Sequence, residues 1–98
     1  MNLNEAQLRE IESLSGIFLE PEEIAILMNL DQWEFLEQIR KKKGEVWKAY
    51  FLGKTESKKD IHTNIVKMAK HGSPQAEEMA KQMIIQQEIA ERRAKANR

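Results

Sequence analysis

The sequence predicts an all-α protein, with an N-terminal helix-turn-helix unit followed by a C-terminal antiparallel helical hairpin. Three observations carry that expectation. Apolar residues recur at helical spacing in segment after segment, and no run alternates as a half-buried strand would. In addition, Pro21–Gln38 reads as two short helices around one tight corner. The expected division is residues 1–54 for the helix-turn-helix domain, 55–90 for the hairpin and 91–98 for a basic tail.

The corner organises the rest. Pro21 suits the first helical position, because its missing N–H is one that a helix start leaves unpaired. Asn29 falls where the chain must turn, and asparagine tolerates the left-handed conformation that a turn requires. Asp31 and Glu34 have the spacing of a capping box, and Leu30 and Phe35 that of a hydrophobic staple. Small Ala25 permits a close crossing.

Before the corner, Asn4 and Gln7 form a second capping box, and Leu8, Ile11 and Leu14 make an apolar stripe. That first helix is expected to stop at Gly16, with Ile17, Phe18 and Leu19 as a buried connector. After the corner, the third helix points Phe35, Leu36 and Ile39 inward and ends in Arg40-Lys41-Lys42-Lys43-Gly44. Cations suit a helix C-terminus, and glycine suits the exit. A fourth helix, Glu45–Leu52, holds the densest aromatic cluster and is expected to end or bend at Gly53. Thr55 or Ser57 caps a fifth, which carries Ile61, Ile65, Met68 and Ala69. His71-Gly72 closes it, and Ser73-Pro74 opens a sixth with Ala76, Met79, Ala80, Met83 and Ile84. So short a link makes the last two helices antiparallel. From Glu91 onward little remains to bury, and fraying or disorder is expected.

Composition narrows the function classes. Ninety-eight residues make one domain, or a small domain with an appendage. Without cysteine there are no disulfides or thiolate metal sites, which fits a reducing cytoplasm. The apolar runs are too short to span a membrane, and no signal-peptide pattern opens the chain. Net charge is zero, yet residues 1–39 hold nine acids against Arg9 alone, a net −8, and residues 40–98 carry the balancing +8. Such a split points to two different partners, to head-to-tail association, or to a solvated surface whose signs merely segregate.

Catalysis has almost nothing to stand on. His62 and His71 lack a nucleophile or second ligand at a telling spacing, and the four glycines are isolated rather than a phosphate-cradling loop. We therefore expect no enzyme, no metal and no cofactor. Nucleic-acid binding is the stronger class. Of the residues that would face a major groove, Gln32 and Trp33 suit contact, but Asp31, Glu34 and Glu37 would repel phosphates. Arg40, Lys41, Lys42 and Lys43 form the better phosphate-binding element, or else a plain basic helix cap. Neutralising about four phosphates would give a log–log salt slope of about −3.6. Trp47 reads most simply as core and Trp33 as an exposed anchor for another protein. Ile61, Ile65, Met68, Met79 and Met83 form a stripe that two helices alone cannot cover, so homo-oligomerisation through the hairpin is expected.

Three segments together resemble a known family. They are Pro21-Glu22-Glu23-Ile24-Ala25, Glu45 to Lys54 (with Trp47, Tyr50 and Phe51), and Ala69-Lys70-His71-Gly72-Ser73-Pro74-Gln75-Ala76. In that order they are similar to the small terminase subunits of tailed bacteriophages, or to closely related phage helix-turn-helix proteins. The resemblance covers about residues 17–84. It implies DNA packaging in a bacterial host cell: recognition of double-stranded viral DNA, ring assembly, and engagement of the large terminase subunit. Gln32, Trp33 and Glu37 would then occupy the recognition helix, and Ile61 to Met83 the assembly hairpin. Arg92, Arg93, Lys95 and Arg98 would form the partner-binding tail. The acidic recognition helix departs from the DNA-reading pattern. A helix-turn-helix transcriptional regulator and a protein-interaction module without DNA binding remain the alternatives.

Overall fold

The computed structural model describes residues 1–97. All its regular structure is helical: α1 (Glu5–Gly16), α2 (Pro21–Leu27), α3 (Gln32–Arg40), α4 (Glu45–Lys70) and α5 (Pro74–Ala96). By internal contacts the chain divides into Met1–Lys59 and a second unit from Asp60 onward.

In the first unit, local capping sets each helix start. The Asn4 carboxamide oxygen accepts from the Gln7 amide at 2.8 Å, and the Gln7 side chain accepts from the Asn4 amide at 2.9 Å. Both orphan donors are thus satisfied, as the spacing predicts. The α2 start is held by the Glu20 amide donating to the Glu23 carboxylate at 2.9 Å. At α3 only half of the expected box forms. Asp31 accepts from the Glu34 amide at 2.8 Å, but the Glu34 carboxylate is turned to the Met1 amino group, 3.3 Å away.

Three of the helix ends, those of α1, α2 and α4, follow one device. At the corner, Leu30 donates to the Ala25 carbonyl at 2.8 Å and Asn29 to that of Ile26 at 3.2 Å, with Asn29 left-handed at φ 55°. This is the paired-bond C-terminal turn in which one residue adopts positive φ and the next folds back on the helix. Asparagine fills the role the sequence assigned it. The α1 end, at Gly16 as expected, uses the same turn. Phe18 donates to Ser15 at 2.9 Å and Leu19 to Leu14 at 3.4 Å, with Phe18 itself at φ 65°. The connector is consequently not buried. Ile17 and Phe18 are exposed, and only Leu19 packs on the core, because the left-handed residue points outward and its successor inward.

The core of this unit is Ile11, Ile24, Ala25, Phe35, Val46, Ala49 and Tyr50, with Leu8, Leu14, Leu30 and Ile39 partly buried against it. Leu30 and Phe35 join the same cluster, as a staple requires. Leu36 does not. It is 37% exposed, since it lies about 100° around the helix from Phe35, while Ile39, one turn on, faces in.

The fourth and fifth expected helices are one, because α4 runs unbroken through Gly53. A Cβ placed on Gly53 would overlap the Glu12 carbonyl and the Ser15 hydroxyl oxygen. A Cβ on Gly16 would lie 3.1 Å from the Ser57 hydroxyl oxygen and 3.4 Å from the Gly53 carbonyl. Gly53 is therefore a contact residue where α4 crosses α1 backbone to backbone, not a stop. Ser15 is wholly buried in that crossing and donates to the Glu12 carbonyl at 3.1 Å.

In the second unit, His71-Gly72-Ser73 link α4 to α5 with the same paired turn, Gly72 at φ 93°. Gly72 donates to Ala69 at 3.0 Å and Ser73 to Met68 at 3.1 Å. Ser73 then caps α5, accepting from the Ala76 amide at 3.3 Å with Pro74 in the first turn. Residues 91–96 are helical rather than frayed. Alanine, arginine, glutamate and lysine are strong helix formers, and Glu88/Arg92 and Glu91/Lys95 have the favourable i,i+4 order. Propensity sustains α5 where burial does not. Ala76 is buried, and Ile65, Ala69, Ala80, Met83 and Ile89 are half-buried. The spacing of Ile65 and Ala69, and of Ala76, Ala80 and Met83, is the pattern of two helices facing each other.

Candidate functional site

The basic corner begins where α3 ends. Lys41 is its C-cap, and Lys42 takes the left-handed conformation at φ 54°, donating to the Ile39 carbonyl at 3.2 Å. Gly44, at φ 94°, completes the exit. This path leaves Lys41, Lys42 and Lys43 all exposed. Arg40 differs. Its guanidinium grips the Glu37 carboxylate, Nη2 lying 2.9 and 3.0 Å from the two oxygens and Nε 3.2 Å from one. The hydrogen bond to Arg40 holds the Glu37 carboxyl below the usual range, and Glu37 in turn raises Arg40. The charge of Lys41 adds to the lowering of Glu37. Arg40 is thus committed to Glu37, while Lys41, Lys42 and Lys43 project without a salt bridge. Lys48, in the first turns of α4, is exposed, whereas the Lys54 ammonium sits 5.3 Å over the Tyr50 ring.

The expected recognition helix offers a different surface. Trp33 is 83% exposed, and Leu36 shares its face. Ile26 and Leu27, the last residues of α2, are exposed on the other side of the same corner. Gln32 is half-buried, and Glu37 is occupied by Arg40. The face is therefore apolar and acid-bordered, the chemistry of a protein contact more than of a phosphate contact. Sequence reading found Trp33 but missed Ile26 and Leu27. Their adjacency on a helix whose inner face is Ile24 and Ala25 was the available signal.

Trp47 is not core. It is half-buried and stacks on exposed Phe51, ring centroids 5.2 Å apart and planes 15° from parallel. Val46, Ala49 and Tyr50 fill the core from this helix instead, because the arc they share is centred about 100° around α4 from Trp47.

The five residues assigned to oligomerisation divide between two surfaces. Ile65 and Met83 are half-buried, while Ile61, Met68 and Met79 are exposed. Val66, Ile84 and Ile85 are exposed as well, Ile84 at 55%. Adjacent isoleucines cannot both lie on one narrow helix stripe, so Ile84-Ile85 was the overlooked mark of a second face. Arg92, Arg93 and Lys95 are exposed along the last turns of α5, and Arg98 lies outside the described residues.

Among the described residues no group of three or more His, Cys, Asp or Glu side chains is placed to hold a metal ion. His71 places Nδ1 2.7 Å from the Lys67 carbonyl, a helix-end contact. Among the described residues no helix is long and apolar enough to cross a membrane. No protein-family profile, curated protein or solved structure matches the chain.

Proposed function

We propose that this chain is a non-enzymatic DNA-binding adaptor of phage DNA packaging, similar to a small terminase subunit. In this reading Lys41, Lys42 and Lys43 bind phosphate, the exposed faces of the hairpin bring copies together, and the end of α5 engages the large terminase subunit. The observation that carries the DNA role is the exposed lysine run at the α3 exit, held in shape by two left-handed residues. With Arg40 occupied by Glu37, about three phosphates are neutralised per chain, and the log–log salt slope is about −2.7. Several copies acting together multiply such weak contacts.

Salt-dependent binding to duplex DNA tests it. Lys41→Glu, Lys42→Glu and Lys43→Glu together should weaken binding at least ten-fold and flatten the salt slope. Unchanged binding would remove the DNA role from this corner. A second reading, a protein-interaction module without DNA binding, is favoured by Trp33. In that case the triple lysine variant leaves partner binding intact and Trp33→Ala abolishes it.

A further inference from the structure

Two exposed faces of the first unit complement each other in both charge and apolar content. One surrounds the α2–α3 corner, where Ile26, Leu27, Trp33 and Leu36 are exposed and Glu22, Glu23 and Asp31 border them. The other lies on α4. Lys48, Phe51, Leu52, Thr55 and Lys58 recur there at helical spacing, all exposed, so that an apolar pair is bracketed by lysines on one face. The charge around them matches. Residues 1–39 are net −8, whereas residues 40–59 hold eight bases against two acids.

We propose that the acid-bordered corner of one copy docks on the lysine-bracketed face of α4 in a second copy. A second copy is favoured over a foreign protein because each chain carries both halves of the match. Trp33 is the anchor, seated against Phe51 and Leu52, with the carboxylates facing Lys48 and Lys58 at the rim. The two patches are different surfaces, so the contact is heterologous. Every pair leaves one corner and one α4 face open, and copies add until a ring closes or a filament grows. This contact uses residues 1–59 only, and it stands whether or not the lysine corner binds DNA.

Isotopically light and heavy chains, mixed at full length and joined by a zero-length carboxylate-to-lysine reagent, test it by peptide mass spectrometry. Light–heavy links from Glu22, Glu23 or Asp31 to Lys48 or Lys58 are expected. They should vanish in about 1 M salt, where the screening length is about 3 Å. Trp33→Ala should cut their yield at least ten-fold with helicity unchanged. Light–heavy links confined to residues from 60 onward would mean that copies meet through the hairpin alone, and would overturn the proposal. An absence of light–heavy links would overturn it too, leaving the corner to a different protein and the α4 face to a nucleic acid.

Discussion

The two halves of this chain solve the problem of burial differently. Residues 1–59 close a core: Ile11, Ile24, Ala25 and Phe35 are wholly excluded from solvent, and a glycine crossing draws α1 onto α4. From Asp60 onward the buried apolar residue among those described is Ala76, and Ile61, Met68, Met79, Ile84 and Ile85 remain exposed. The second half is the more helical of the two, so helix content is no measure of how complete a fold is. The first half derives its helices from packing. The second derives them from propensity, a well-capped turn and whatever covers its apolar faces.

Substitutions sharpen that contrast. Phe35→Ala should have the largest effect, costing about 3–5 kcal/mol, because it empties the centre of the closed core. A denaturant midpoint close to that of the parent would show that the core lies elsewhere. Gly53→Ala comes next. Helix propensity alone would favour it by about 1 kcal/mol, yet the overlap with the Glu12 backbone should destabilise by about 2 kcal/mol. A stabilised variant would mean that α1 and α4 do not cross there. Phe18→Gly should act oppositely, stabilising by about 0.5–1 kcal/mol in chemical denaturation, since a 51% exposed phenylalanine holds a left-handed conformation that glycine adopts freely.

In the second half, Ile84→Ser with Ile85→Ser should change monomer stability by no more than about 0.5 kcal/mol. The same pair should weaken self-association at least ten-fold by sedimentation. A large loss of helicity without any change in mass would show that these residues are covered within one chain. The smallest effect is a titration. Burial, with the charge of Glu20 second, raises the Tyr50 hydroxyl above its ordinary value. The unfolded chain then releases that proton first, so stability should fall as pH rises through and beyond the ordinary tyrosine range. Tyr50→Phe should remove this slope, and an unaltered alkaline profile would place its origin in another group.

Much of this architecture was legible from short-range chemistry. Asn4 with Gln7, Asn29 at the corner, and Gly72-Ser73-Pro74 at the hairpin each satisfy backbone groups within a few residues, so spacing alone identifies them. What escaped depends on distant partners or on arc. Gly53 looks like a stop until the Glu12 carbonyl, forty-one residues earlier, occupies the space of its side chain. Ser57, small and one turn on, was the only local hint. Gly16 does end α1 as expected, yet the left-handed residue of the turn is Phe18, which local rules would not choose for positive φ. Leu36 and Trp47 were assigned inward because their neighbours are apolar, and a helix gives adjacent residues different faces. The Arg40–Glu37 pair was readable at i,i+3, and it removes one cation from the candidate DNA contact.

The contrast between the halves is tested most directly by amide hydrogen exchange of the full chain at two protein concentrations. Amides of Ile11, Ile24 and Phe35 should be equally protected at both, and those of Met83, Ile84 and Ile85 should gain protection only at the higher one. Equal protection of the α5 amides at both concentrations, matching that of the core, would contradict the account.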